Sequence, residues 1–257
     1  MSYEIIDFHV HPLLEKTQDL TMYKDTFSVT AETFFDRLQK CGISKFCGSV
    51  CNAVQKEDFL GKMLKNNESA FKLKEMYGDT YIVGIQIHPD FVEESKREID
   101  KAAEKGVKLV GELVPYLDGW SYDNKNIREL FLYAGKKGMV INIHSNYDDV
   151  FEKMIADNKD ITIVGAHPGE WNGLFKQIEW LKKYPNYYLD ISGNGATRLG
   201  TVEKLVAAVG SERILYGSDY PICNPSVFID SVVNSFALTN EEKQNILADN
   251  AKKLLGI

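Results

Sequence analysis

Five histidines stand in a chain of 257 residues, and each follows a short apolar run. His9 and His11 lie in Asp7-Phe8-His9-Val10-His11-Pro12, at the end of a candidate strand over Glu4–Val10. Residues two apart on a strand face the same side, so the pair presents two imidazoles in one direction. That arrangement suits a divalent metal, zinc above all, and Asp7 falls on the same face one step deeper. His144 closes the run Met139–His144, His167 follows Ile161–Ala166, and His88 follows Thr80–Ile87. Glu112 lies near the end of Val107–Val114, and Asp219 follows Ile214–Ser218. Taken singly, each has a plain reading: a polar residue leaving a strand, a hydrogen-bonded core histidine, a rim ion pair, a helix cap. A cap is disfavoured at Asp219 because Tyr220-Pro221 follows directly, and an unpaired carboxylate leaving a buried strand is costly. Together, at matching strand ends, these residues read as a metal centre.

Side chains so far apart in sequence meet only if the elements between them converge. Apolar runs Ser44–Cys51 and Tyr187–Ile191 complete a set of eight candidate strands, each rich in Val, Ile, Leu or Tyr as buried parallel strands require. Helical spacing fills Thr30–Cys41, Phe91–Lys105, Asn126–Lys137, Leu174–Lys183, Val202–Val209 and Thr239–Leu255, with Gly42, Gly106, Gly138, Gly210 and Gly256 as stops. Eight strand–helix pairs in 257 residues match an α/β fold of the (β/α)8 TIM-barrel type. A doubly wound open sheet shares the local pattern. Only a closed barrel, however, brings the ends of strands one, four, five, six and eight to one site. No composition break or low-complexity tract divides the chain, so a single domain over 1–257 is expected.

Composition narrows the partners. Lys and Arg number 30 against 37 Asp and Glu, a net charge of −7, which gives no global attraction for nucleic acid or anionic lipid. No apolar run approaches the ~18–20 residues of a membrane span, and the start of the chain lacks the basic-then-apolar pattern of a secretory leader. The four cysteines, Cys41, Cys47, Cys51 and Cys223, form no CxxC pair and read as reduced thiols. A cytoplasmic protein acting on a small molecule is expected, with membrane and nucleic acid disfavoured as partners. Barrels of this kind commonly pair through their helices, so a homodimer is compatible with the pattern.

The motif set resembles the amidohydrolase superfamily. The Asp-Phe-His-Val-His opening is similar to its metal-binding start. His144, His167, Gly217-Ser218-Asp219-Tyr220-Pro221 and the tail around Asn250-Ala251-Lys252-Lys253-Leu254 resemble the amidohydrolase-related (family 2) branch along the whole chain. The resemblance implies a TIM barrel with a divalent metal at the strand C-termini. It implies His9 and His11 as ligands, His144 as the fifth-strand ligand, and His167 as the sixth-strand ligand or a substrate-facing base. Asp219 then binds metal and takes the proton of the nucleophilic water. Two features look instead like TatD-type metallonucleases: the fourth-strand Glu112, which bridges two metals there, and Gly84-Ile85-Gln86-Ile87-His88-Pro89. A bridging Glu112 would leave His9, His11 and Asp219 to one ion and His144 and His167 to another. The cofactor is therefore one or two divalent ions, with Zn2+ favoured. A carbamylated-lysine bridge is not indicated, because Lys108 sits too early in its strand.

The leading expectation is hydrolysis of a C–N or C–O bond in a small molecule by metal-activated water. Asp219 and His167 are the expected catalytic groups, and His88 is a second candidate for oxyanion stabilisation. His88 and Arg198 are expected to bind substrate, Arg198 through a carboxylate or phosphate. Asp190 and Ser192 would support the ligands. Tyr116, Trp120, Tyr122, Tyr147 and Trp171 populate the loops that could wall a pocket. Decarboxylation, which the family also includes, and TatD-like phosphodiester cleavage are the competing reactions, and a binding protein without chemistry is the non-enzymatic alternative.

Overall fold

The structure, a computed structural model, describes residues 3–16, 28–51 and 58–257. Eight parallel strands pair in strict sequence order: β1 (Ile6–Asp7), β2 (Lys45–Ser49), β3 (Tyr81–Ile85), β4 (Leu109–Leu113), β5 (Val140–His144), β6 (Ile163–Ala166), β7 (Tyr187–Asp190) and β8 (Ile214–Leu215). The backbone beyond β1 and β8 joins the two edges. Phe8 N–H donates to the Tyr216 carbonyl at 2.9 Å and His11 N–H to the Tyr220 carbonyl at 2.8 Å. Val10 and Tyr220 form a parallel bridge. The sheet is thereby closed into the expected (β/α)8 barrel.

Helices α1 (Ala31–Lys40), α2 (Phe59–Tyr77), α3 (Val92–Glu104), α4 (Pro115–Asp118), α5 (Ile127–Lys136), α6 (Asp149–Asp157), α7 (Trp171–Lys183), α8 (Thr201–Val209) and α9 (Pro225–Val233) fill the connections. In α1 the Thr30 hydroxyl caps the Thr33 amide, Phe34 and Leu38 are buried, and Gly42 takes φ 77° just past the end. Helix α2 was not among the helical patterns read above, because its inward side carries Lys62, Asn66 and Asn67 beside Met63, Ala70 and Leu73. Polar residues on the buried face erase the stripe by which an amphipathic helix is recognised. The expected Thr239–Leu255 helix forms as α10 (Asn240–Gln244), a π-turn over Asn245–Asp249 and α11 (Asn250–Leu255). A Thr239–Glu242 capping box starts it.

Two apolar layers result. Ile6, Phe8, Cys47, Leu109, Val140, Val164 and Leu215 meet inside the barrel, joined by Ala248, Ala251 and Leu255 of the C-terminal helix. Leu109 and Val140 open their strands, so the helix covers the N-terminal end of the barrel. Opposite-facing strand residues such as Phe46, Val110, Ile141 and Ile163 pack outward on the helices. The strand C-termini are left free to carry polar groups. Among the described residues, no helix is long and apolar enough to cross a membrane.

Candidate metal centre

Strict alternation does not explain how the polar side chains reach one point; local departures do. Ile6 and Phe8 both face the interior, which would send His9 outward, but the chain bends at Phe8. On β4, Leu109 faces inward and Val110 outward, so simple alternation would turn Glu112 toward the helices. A register shift between Val110 and Leu113 turns it back into the barrel. Gly111 makes this shift possible: at φ 100° a Cβ there would lie 2.0 Å from the Asn142 carbonyl oxygen. His167 and Asp219 adopt the left-handed backbone region, φ 71° and 61°. That region is rare for non-glycine residues and concentrates at functional sites. By contrast, Asn142 and His144 follow Val140 by simple alternation.

The result is a carboxylate ringed by imidazoles. Glu112 Oε2 lies 3.3 Å from His9 Nε2 and 3.2 Å from His11 Nε2. Its other oxygen, Oε1, lies 3.2 Å from His144 Nδ1 and 3.5 Å from His167 Nε2. Asp219 Oδ1 approaches His11 Nε2 at 3.4 Å and His9 Nε2 at 3.7 Å. The structure thus brings together His9, His11, Glu112, His144, His167 and Asp219. Asp7 does not join them: its Oδ1 accepts the main-chain amides of His9 and Ser218.

A second set of contacts fixes how the rings are presented. His9 Nδ1–H donates to Asp190 Oδ2 at 3.0 Å, His11 Nδ1–H to the Ser49 carbonyl at 3.3 Å, and His167 Nδ1–H to the Ser192 carbonyl at 3.1 Å. Each of these rings therefore turns Nε2 toward the centre. Asn142 Nδ2 steadies Asp190 Oδ2 at 3.0 Å, and Gln86 Nε2 bonds the Glu112 carbonyl and Ser49 Oγ, both at 2.7 Å. Asn142 and Gln86 were missed from the sequence. The available signal was a lone amide in an otherwise apolar strand run.

Burial alone would strip charge from these groups, but mutual attraction reverses that. Despite desolvation, Glu112 and Asp190 hold His9 well above the usual imidazole range. His11, also desolvated, is raised to about 9 by Asp219 and Glu112. Glu112 stays well below the usual carboxylate range despite its burial, because His9, His11, His144 and His167 face it.

The same side chains fit divalent cations. His9 Nε2 and His11 Nε2 lie 3.3 Å apart, close enough for one cation to be held by both. Asp219 Oδ1 is buried with no hydrogen-bond partner. Ligand atoms cluster as His9–His11–Asp219 and as Glu112–His144–His167, a nitrogen and carboxylate set suited to zinc or manganese. A third cluster, His9–His167–Asp190, is filled from within: Ser192 Oγ lies 3.0 Å from both Nδ1 atoms and donates to Asp190 Oδ1.

A family model for amidohydrolases matches residues 6–257. The chain belongs to amidohydrolase family 2. No curated protein matches the sequence. Several solved structures resemble this amidohydrolase. A 2,6-dihydroxybenzoate decarboxylase from Rhizobium superposes with a TM-score of 0.76 at 16% identity over 99% of each chain. A candidate 2-pyrone-4,6-dicarboxylic acid hydrolase from Pseudomonas putida gives 0.73 at 16% identity, covering 100% of this chain and 98% of the other. A dihydroxybenzoic acid decarboxylase from Polaromonas, solved with bound manganese and 2-nitroresorcinol, gives 0.68 at 16% identity, covering 99% and 97%. At such identities the likeness carries the fold, and the reaction must be argued from the site.

In this amidohydrolase a cavity of about 230 Å3 opens on the cluster and is bordered by Cys51, Tyr116, Asn194 and Cys223 as well as by His11, Glu112, His144, His167 and Asp219. The structure does not bring His88 or Arg198 to it. Both His88 nitrogens are committed: Nε2–H donates to the Asp118 carbonyl at 2.8 Å and Nδ1 accepts from the Asp90 amide at 3.2 Å. Its ring packs between Phe59 and Phe91, so it supports a loop and faces no reacting atom. Arg198 is 65% exposed, bonded to Glu170 at 2.6 Å, and borders a separate groove with Trp171. Tyr147 packs against Gly169 and Gly173. Of the five loop aromatics, Tyr116 borders this cavity, and Tyr116, Trp120 and Tyr122 line a neighbouring one.

Proposed function

We propose that this amidohydrolase hydrolyses a C–N or C–O bond in a small-molecule substrate at a centre where Glu112 would be shared between two divalent ions. The observation that carries this reading is the division of the Glu112 carboxylate: one oxygen faces His9 and His11, the other His144 and His167. One ion would be held by His9, His11, Asp219 and Glu112, the other by His144, His167 and Glu112. Zinc is the ion the donor set favours. When bound, such ions lower the pKa of water toward ~7 and polarise a carbonyl oxygen.

The side chains do the rest. Asp219, whose carboxylate borders the cavity, would take the proton of the attacking water and return it to the departing nitrogen or oxygen. Asp190 keeps the His9 proton on Nδ1, so His9 remains a ligand rather than an acid. His167 is likewise held through Nδ1 and serves as a ligand, not as a free base. His144 is 27% exposed on its side chain, so the substrate approaches from its side of the cluster. Among the described residues, no Lys or Arg borders the cavity.

The test is elemental analysis followed by product analysis. The purified chain should carry two equivalents of zinc. It should release acid plus amine or alcohol from a panel of neutral amides, esters and lactones. Release of CO2 from hydroxybenzoates, or cleavage of single-stranded DNA, with no turnover of that panel would overturn the reading.

A further inference from the structure

Two cavities share a wall. Tyr116 and His144 border both the cavity at the ligand cluster and a second one of about 340 Å3, which extends to Trp120, Tyr122 and Val150. The Tyr116 ring stands edge-on to His144 with centroids 5.0 Å apart, and it is 67% exposed. Its helix α4 is anchored from behind. Lys62 Nζ meets Asp118 Oδ1 at 2.7 Å where both are largely buried, and His88 holds the Asp118 carbonyl. Trp120 is 7% exposed, and its indole N–H is buried without an acceptor. The second cavity has no Lys or Arg on its border among the described residues. Its carboxylate, Asp148, is engaged in capping α6 through the Phe151 amide.

We propose that the second cavity, walled by Tyr116, Trp120 and Tyr122, is a recognition subsite for a neutral aryl group, since aromatic side chains pack rings edge-on or offset. The substrate straddles Tyr116, with its scissile bond at the ligand cluster and its ring beside Tyr116 and Trp120. This rests on the hydrolase reading above and narrows it to aryl amides or aryl esters. Binding can be read without turnover by using 4-methoxyacetophenone, an uncleavable aryl ketone, against butanone, on the zinc-loaded chain. The Trp120 indole 1H–15N cross-peak, assigned by its loss in Trp120→Phe, should move with the aryl ketone and not with butanone. Val150→Phe, which narrows the cavity, should lower the preference for the aryl ketone over butanone about tenfold, as one misfit in an apolar pocket does. Tyr116→Ala should lower the same ratio, with the Trp171 and Trp180 cross-peaks unmoved as the check on folding. An unmoved Trp120 cross-peak, or an unchanged ratio in both variants, overturns the subsite. Ketone binding of the expected kind with no cleavage of any amide or ester leaves the subsite standing and removes the hydrolase reading.

Discussion

Glu112 and Asp190 divide the electrostatic work of the centre at the level of single residues. Glu112 is the negative charge shared by two histidine pairs, whereas Asp190 touches only the far side of one ring. Their removal should therefore differ in kind. Glu112→Gln should reduce bound metal from two equivalents to one or none by elemental analysis. Asp190→Asn should keep the stoichiometry and weaken affinity about 10–100-fold in a chelator competition, the usual effect of losing a carboxylate behind a ligating histidine. Equal behaviour of the two variants would contradict the bridge. The cavity thiols give a separate check. Burial pushes Cys51 up to about 12 and Cys223 up to about 11. Because the thiolate is the reacting form, both should alkylate with iodoacetamide at pH 8 more slowly than glutathione, although both border an open cavity. Rates equal to glutathione's would show that these thiols are not suppressed.

At the scale of elements, the strand ends do more than extend the sheet. The bend at Phe8, the shift in β4 and the left-handed turns at His167 and Asp219 each redirect one ligand. The loop after β7 then closes on the result. Gly193 has φ 60°, and a Cβ at that position would lie 2.3 Å from His167 Nδ1. Gly193→Ala should displace the ring and lower bound metal while the far-ultraviolet circular dichroism stays native; full metal content in that variant would show that the loop yields instead. Histidines after apolar runs were legible in the sequence because type and position are local facts. The inward turn of Glu112 was not, since strand alternation read from Leu109 points it the other way. His88 and Arg198 were indistinguishable from ligand-binding groups for a related reason. Whether a ring nitrogen or a guanidinium is already bonded depends on partners distant in sequence, here the carbonyl of Asp118 and the carboxylate of Glu170.

Over the whole molecule, the two ends of the barrel are built for different tasks. The N-terminal end is sealed by the C-terminal helix, whose Leu255 is 3% exposed and packs with Ala248 and Ala251 on the interior cluster. Asn250 ties that helix to the sheet by donating to the Ser211 and Ile214 carbonyls, both at 2.7 Å. Leu255→Ala should cost about 2–5 kcal/mol in urea unfolding, as truncation of a buried leucine does, and leave metal stoichiometry unchanged. Loss of metal at full stability would mean that the two ends are not separable.

The sequence by itself determined the alternation of eight apolar runs with helices, and the polar residues at their ends favoured a closed barrel over an open sheet. It also determined which residues stand where such a barrel does its chemistry. These follow from hydrophobic periodicity and residue type, which act over a few neighbours. Only the tertiary structure decided that Glu112 lies between two histidine pairs, that Asp190 and two carbonyls turn the rings, and that His88 and Arg198 stand apart. Those outcomes depend on closure of β1 against β8 and on local departures from strand geometry at Phe8, Gly111, His167 and Asp219. Such departures persist because contacts across the barrel, not the local residues, hold them in place.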